Sequence, residues 1–228
     1  MPSALLCRLP LIFLAIAAAA PGRASTSHDE QLWVNLTVMG PLSGKLVHFL
    51  ELQPRIGDGA SRPDQLLLRG AIGVKLSGRA TLYQGYARVI TPRDAMRDLA
   101  EHRSFQQLSW VMGEPWGGEI STRTRFEQRW RNDGDDMGLR LREMVRLEIP
   151  VARNGLAVLG YAEGFVALND TDWGARAGFD QLRSFVGTEI PLAGRSTIEL
   201  GYLNQTINQR GGRHRMNHVL SVSLFARY

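Results

Sequence analysis

The chain has 228 residues, 44% of them hydrophobic and 21% charged, with a formal net charge of +5. That length and balance suit one domain with a substantial core and exclude a disordered chain. The charge comes from 25 arginines and two lysines, but the arginines are spread from Arg8 to Arg227 and form no patch, so no nucleic-acid partner is expected.

Residues 1–8 carry one cation, LPLIFLAIAAAA supplies an apolar run, and PGRAS offers small residues for cleavage after Ala20 or Ala24. This is the pattern of a secretory signal, which assigns residues 1–24 to a signal peptide and residues 25–228 to a single mature domain. A spanning helix needs about 20 apolar residues, and Pro21-Gly22-Arg23 interrupts too soon. Cys7, the only cysteine, precedes the apolar run and cannot be the lipidated first residue of a lipoprotein. The mature domain therefore has neither a disulfide nor thiolate chemistry. An exported chain without these, and without a later helical anchor, is either a soluble exported protein or a transmembrane barrel.

From residue 31 onward the hydrophobic pattern has a period of two. Eleven alternating segments follow in order: 31–39, 44–54, 65–76, 79–90, 103–112, 118–131, 138–149, 155–168, 177–190, 195–208 and 213–228. Each has at least the roughly 9 to 11 residues that a tilted membrane strand requires, where strands of soluble sandwiches average about 5 or 6. GPLSG, LSGR, EPWGG, PVARNG and PLAGR read as tight turns. PRIGDGASRPD, TPRDAMRDLAEH, RNDGDDM, NDTDWGARA and QRGGRHR alternate with them as longer, more charged loops. That asymmetry is what an outer-membrane barrel shows. Within the second long loop, Thr91-Pro92 before an Ala95, Met96, Leu99 stripe predicts a short surface helix.

Alternation sorts side chains onto two faces. In ISTRTRFEQRWR, Ile120, Thr122, Thr124, Phe126, Gln128 and Trp130 share one face, while Arg123, Arg125, Glu127 and Arg129 share the other. In GLRLREMVRLEI, Leu139, Leu141, Val145 and Leu147 oppose Arg140, Arg142, Arg146 and Glu148. Glu143 falls on the apolar face, which predicts a bulge beside it or a place at the membrane interface. A bilayer requires every backbone donor and acceptor to be paired within the protein, so such strands must close into a barrel. Tyr228, Trp130, Trp110 and Tyr202 are then candidates for aromatic girdles.

LWVNL with Trp33, FDQLRSFVGTEIPL, IELGYLNQ and the terminal NHVLSVSLFARY together resemble the exported bacterial proteins grouped as domain of unknown function 2490. The resemblance covers essentially all of the mature chain and is sharpest over residues 179–228. It implies an outer-membrane barrel and carries over no catalytic residue. The alternating Leu220, Val222 and Leu224 before Tyr228 also resemble the signal by which the barrel-assembly machinery recognises its clients, with Ala226 where a larger apolar residue is common.

Three chemistries compete for the charged face. Arg123, Arg125, Arg129, Arg140, Arg142, Arg146 and Arg183, set against Glu51, Glu127, Glu148, Glu163, Glu189 and Glu199, can brace and fill a lumen, because a barrel of this size has little more room than side chains occupy. The same arginines can instead form an anion site or an anion-selective path. Enzymatic chemistry finds no support: His28, His48, His102, His214 and His218 have no nucleophile-elbow serine or metal-type partner at helical spacing. RNDGDDM and NDTDWG lack the ligand spacing of a calcium loop and read as solvated turns, and QRGGRHR as a flexible loop. The Asn35-Leu36-Thr37 sequon lies inside a strand and is discounted.

Eleven strands with a periplasmic C-terminus would start the first strand outside the cell, so either residues 31–39 are not a wall strand or a hairpin lies near 91–103. The expectation is an all-β, closed antiparallel transmembrane barrel of 10 or 12 strands in the bacterial outer membrane, with a parallel closure set aside. Its role is structural or transport-type, without enzymatic activity, metal or cofactor, in contact with membrane lipid and lipopolysaccharide and with no ligand assigned. A soluble periplasmic lipocalin-like binding protein is the alternative, and an outer-membrane enzyme the next.

Overall fold

A computed structural model describes residues 26–228; the signal sequence assigned to residues 1–24 lies outside them. Eleven strands make up the wall: β1 (Thr26–Ser43), β2 (Leu46–Gly57), β3 (Arg62–Lys75), β4 (Ala80–Thr91), β5 (Leu99–Gly113), β6 (Glu119–Arg131), β7 (Gly138–Pro150), β8 (Ala157–Ala167), β9 (Gly178–Pro191), β10 (Thr197–Asn208) and β11 (His214–Arg227). They close into a single barrel in sequence order, with β1 beside β11.

All eleven alternating segments are strands, and the expected total of 10 or 12 is wrong. The odd number closes because β1 and β11 pair in parallel, from Thr26 opposite His214 to Met39 opposite Arg227. Short connections force every sequential pair to be antiparallel. The first and last strands have no such connection, so nothing in the chain's course forbids a parallel seam.

Neither the helix nor the extra hairpin expected near residues 91–103 forms. β4 runs to Thr91, and β5 starts at Leu99, which pairs back onto Thr91. Residues 92–98 turn between them, with Ala95 at a φ of 55° and Met96 exposed. One or two helical turns cannot offset their own nucleation cost without a face to pack on. Strand pairing satisfies the same backbone from Leu99 onward.

The two ends of the barrel differ less than the sequence suggests. PRIGDGASRPD feeds both β2 and β3 and leaves only residues 58–61 as a connection. Residues 92–98, 132–137, 168–177 and 209–213 lie at that same end, together with the start of β1. Tyr228 lies at the other end, among the turns at 44–45, 76–79, 114–118, 151–156 and 192–196.

The wall's two faces have opposite character. Outward side chains include Ile72, Val186 and Leu220, which are 59%, 63% and 55% exposed, whereas inward Arg125 and Glu127 are 2% and 1% exposed. Two small apolar clusters share the interior with the charges. One joins Trp33, Leu159, Phe185, Leu203 and Val219; the other joins Phe49, Ala71, Ala87 and Phe105. Glycines make room for the rings. A Cβ on Gly85 would lie 2.1 Å from the Phe105 ring, and one on either Gly187 or Gly201 would lie 2.6 Å from the Phe185 ring. A larger residue at Gly85 would displace Phe105, and one at Gly187 or Gly201 would meet the strand backbone as well, the Leu200 and Val186 carbonyl oxygens at 2.4 and 2.3 Å.

Of the girdle candidates, Trp110, Trp130 and Tyr228 lie near strand ends and are exposed. Tyr202 lies mid-strand, its hydroxyl 2.6 Å from Nδ1 of His218 on β11. Glu143 has no bulge beside it: β7 pairs in unbroken register with β6 and β8. It sits at mid-strand on the outer face, where the Thr124 hydroxyl donates to it at 2.6 Å and that of Thr122 donates as well. Neighbouring hydroxyls, in place of a backbone irregularity, satisfy the misplaced carboxylate.

Candidate functional site

The site is the lumen, and parity in the strands builds it. Inward positions of β6, β7 and β8 place Arg123, Arg125, Glu127, Arg140, Arg142 and Glu163 in one layer. Glu127 Oε2 accepts from Arg140 Nε and Nη2 at 2.9 and 2.6 Å, and its Oε1 accepts from Arg142 Nη1 at 2.7 Å. Arg142 Nη2 reaches Glu163 at 2.7 Å, and Arg123 reaches the same oxygen at 3.0 Å. Arg183 enters from β9, 3.8 Å from Glu163. Arg125 donates to Gln107 through Nε at 2.9 Å and lies 3.8 Å from Glu127. Buried charges this dense persist only when paired and hydrogen-bonded, and here each carboxylate serves several guanidinium groups.

A second layer lies toward the short turns. Arg146 meets Glu148 at 2.6 Å, Glu189 at 3.1 Å and Glu199 at 2.8 Å. The thirteen residues expected on the charged face therefore do not make one network. Glu51 pairs with Arg69 at 2.8 Å, and Arg129 binds Glu101 alongside Arg103. Sequence reasoning missed Arg69, Arg103, Glu101 and Arg55. Parity alone would have found Arg69 and Arg103. Glu101 was hidden by the expected helix, and Arg55 by a strand boundary placed at Pro54.

The lumen is divided into two chambers. One, of about 390 Å³, opens toward the longer loops; the other, of about 560 Å³, opens toward the short turns. Trp33, Arg55, Arg69, Arg142 and Arg183 line both and form the partition between them. The Arg55 guanidinium lies 3.8 Å from the Trp33 ring centre and that of Arg183 lies 5.1 Å from it, both at cation–π distance.

At the loop end, RNDGDDM and NDTDWG are not independent solvated turns, because they bind each other. Asp172 accepts backbone N–H bonds from Asp135 and Asp136 at 2.8 and 3.3 Å, and Asp136 accepts one from Asp172 at 2.8 Å. These bonds hold the Asp172 carboxyl below the usual carboxylate range. Burial raises the Asp133 carboxyl, but hydrogen bonds from Arg131 and Arg93 outweigh it and leave the pKa lowered. Trp173 donates from Nε1 to the Asp136 carbonyl at 2.7 Å, and its ring lies 5.1 and 5.0 Å from the guanidinium groups of Arg129 and Arg131. It closes over part of the loop-end chamber. Among the described residues no cluster of His, Cys, Asp or Glu could hold a metal ion.

The expected assembly residues share one outward face on β11. Leu220 and Tyr228 are exposed, and Val222 and Leu224 are partly so. The histidines associate with one another and with tyrosines on the outer wall: His28 lies 3.0 Å from His218, His48 lies 3.2 Å from the Tyr228 hydroxyl, and His102 bonds Tyr86.

Fold and site together define a closed β-barrel protein with an apolar outer wall and an arginine-rich, partitioned lumen. Residues 30–217 match the family described as protein of unknown function (DUF2490), and the chain belongs to that family. It is 48% identical over 217 residues to an uncharacterised protein of Methylorubrum extorquens, a match that covers 93% of this chain and 94% of that one. No solved structure matches.

Proposed function

We propose that the protein is a bacterial outer-membrane barrel, structural or transport-type and without enzymatic activity, whose lumen is closed at rest by its own charge network. The signal over residues 1–24 directs export. The outer wall contacts lipid and lipopolysaccharide, and the barrel-assembly machinery reads Leu220, Val222, Leu224 and Tyr228. One observation carries this reading: outward Ile72, Val186 and Leu220 are more than half exposed while inward Arg125 and Glu127 are nearly inaccessible. A water-soluble lipocalin-like barrel needs the reverse, an apolar cavity within a polar wall.

The periplasmic C-terminus of such barrels puts the short turns inside and the start of β1 at the cell surface. The test is fractionation combined with heat-dependent mobility of the unboiled protein in detergent gels. Recovery in the outer-membrane fraction with a heat-shifted band supports the proposal, and recovery in the aqueous periplasmic extract refutes it. Planar-bilayer recording addresses closure: steady open-pore current from the unmodified protein would refute the closed lumen.

A further inference from the structure

We infer that the loop-end chamber is a binding site for a phosphate-type oxyanion, such as a phosphate monoester. The inference rests on the lumen alone and holds whether or not the barrel sits in lipid.

Charge balance is the first ground. Nine arginines line this chamber against three carboxylates, Asp64, Glu101 and Asp180. The chamber toward the short turns has eight arginines against six glutamates, which leaves it far closer to neutral. Part of that difference is met from outside the lining, since Arg69, Arg131, Arg140 and Arg142 pair with Glu51, Asp133, Glu127 and Glu163, but among the described residues no such partner reaches Arg55.

Arg55 is the second ground. It is 8% exposed, and its guanidinium donates only to amide oxygens: Gln53 at 3.1 and 2.7 Å, and Gln65 at 2.9 Å. Among the described residues no carboxylate lies within ion-pair distance of it. A guanidinium keeps its proton at ordinary pH, and burying one without a counter-charge is costly. Fixed in place by two glutamines and stacked on Trp33, it is a cation held ready for a partner that the chain does not supply.

Arg183 is the third ground. It lies on β9, lines the same chamber and approaches the same tryptophan, and its Nε is buried without a hydrogen-bond partner. Its carboxylate neighbour is Glu163, whose Oε2 lies 3.8 Å from Nη1 of Arg183, beyond hydrogen-bonding reach, while Arg142 and Arg123 hold Oε1 of the same group. Arg215, partly exposed and 3.7 Å from Asp29, adds a third guanidinium to the same lining. Planar forks on β2 and β9 that lie against one tryptophan, with a third on β11 in the same lining, match the several acceptor oxygens of a phosphate group better than a spherical halide. The group can arrive free in solution or as the headgroup of a phosphorylated lipid, and the chemistry of recognition is common to both.

The experiment uses the full barrel purified in neutral detergent, carrying Trp110→Phe, Trp116→Phe and Trp130→Phe so that Trp33 and Trp173 report on the chamber. Inorganic phosphate and glycerol phosphate form one arm, and mixed micelles with and without phosphatidic acid form the other. We expect a saturable fluorescence change that chloride does not reproduce. Arg55→Gln and Arg183→Gln should each weaken it about tenfold or more, the loss expected for one charged hydrogen-bonding partner. Arg215→Gln, at a partly exposed side chain, should weaken it as well, whereas Arg195→Gln in the opposite chamber should leave it unchanged. A response to the soluble phosphates assigns the site to a free oxyanion, and a response to phosphatidic acid alone assigns it to a lipid headgroup. No saturable response in either arm would overturn the inference, as would an equal loss from Arg195→Gln and Arg55→Gln.

Discussion

Replacing Glu127 by glutamine keeps the side chain's shape and removes the charge that three arginines converge on. Glu127 is almost inaccessible, accepts on one oxygen from Arg140 at 2.9 and 2.6 Å and on the other from Arg142 at 2.7 Å, and has Arg125 at 3.8 Å. Removing one member of a buried ion pair costs about 3 to 5 kcal/mol. Arg140 retains Asp180 at 3.2 Å and Arg142 retains Glu163 at 2.7 Å, so both keep a counter-charge. The amide oxygen can still accept one bond. Glu127→Gln should therefore cost about 3 kcal/mol, the lower end of that range. Adding Arg140→Gln should restore part of the loss, because it removes one of the cations left in excess. Urea unfolding in detergent, followed by the heat-sensitive band shift and by circular dichroism, measures both variants. The midpoint should fall with an unchanged slope. A loss below about 1 kcal/mol, the size typical of exposed pairs, would mean that the lumen is wet enough to screen these charges and that the network does not brace the wall.

Two further predictions concern the outer wall and the loop end. Glu143→Leu removes the carboxylate from the outward face of β7 and should stabilise a lipid-embedded barrel by about 1 kcal/mol; destabilisation in lipid bilayers, read by urea unfolding, would mean that this face meets something other than hydrocarbon. Asp172 has a folded pKa depressed below its ordinary 3.8, mainly by the backbone N–H of Asp135. Its contribution to joining the β6–β7 and β8–β9 loops is thus present above pH 3.8 and is lost as the pH falls through the lower folded value. Trp173 fluorescence should report the release under acid, and Asp172→Asn should show the released signal at neutral pH.

Much of the wall was legible because period-two alternation survives over long segments and leaves only one way to sort the side chains. ISTRTRFEQRWR and GLRLREMVRLEI put Arg125, Glu127, Arg140 and Arg142 on one face, and the structure brings those four together. What alternation cannot give is which strands become neighbours at the seam, and so the tally of eleven looked like an error. Nor can it say which arginine meets which glutamate, since that depends on stagger between strands. Glu51 therefore pairs with Arg69 and not with the β6 arginines. The short helix expected in TPRDAMRDLAEH does not form because cap and stripe are local signals, whereas β5 gains its pairing from β4 and β6. Trp173 carried no periodic signal at all: a lone aromatic in a polar loop acquires its place only when two loops from separate hairpins meet.

The parallel seam also explains why Trp33 matters to both closure and the partition of the lumen. A hairpin turn fixes the register of an antiparallel pair, but β1 and β11 share no turn, and side chains must set theirs. A slip of one residue would turn Trp33 out and bring Leu32 or Val34 in, reversing every face of β1. Trp33 and Val219 are both buried in the same interior cluster, which makes that slip costly. The ring that holds this register is also the surface against which Arg55 and Arg183 lie, where the two chambers meet. Closing the wall and partitioning the lumen are thus one packing event, and a change at Trp33 that loosened the seam would open the partition with it.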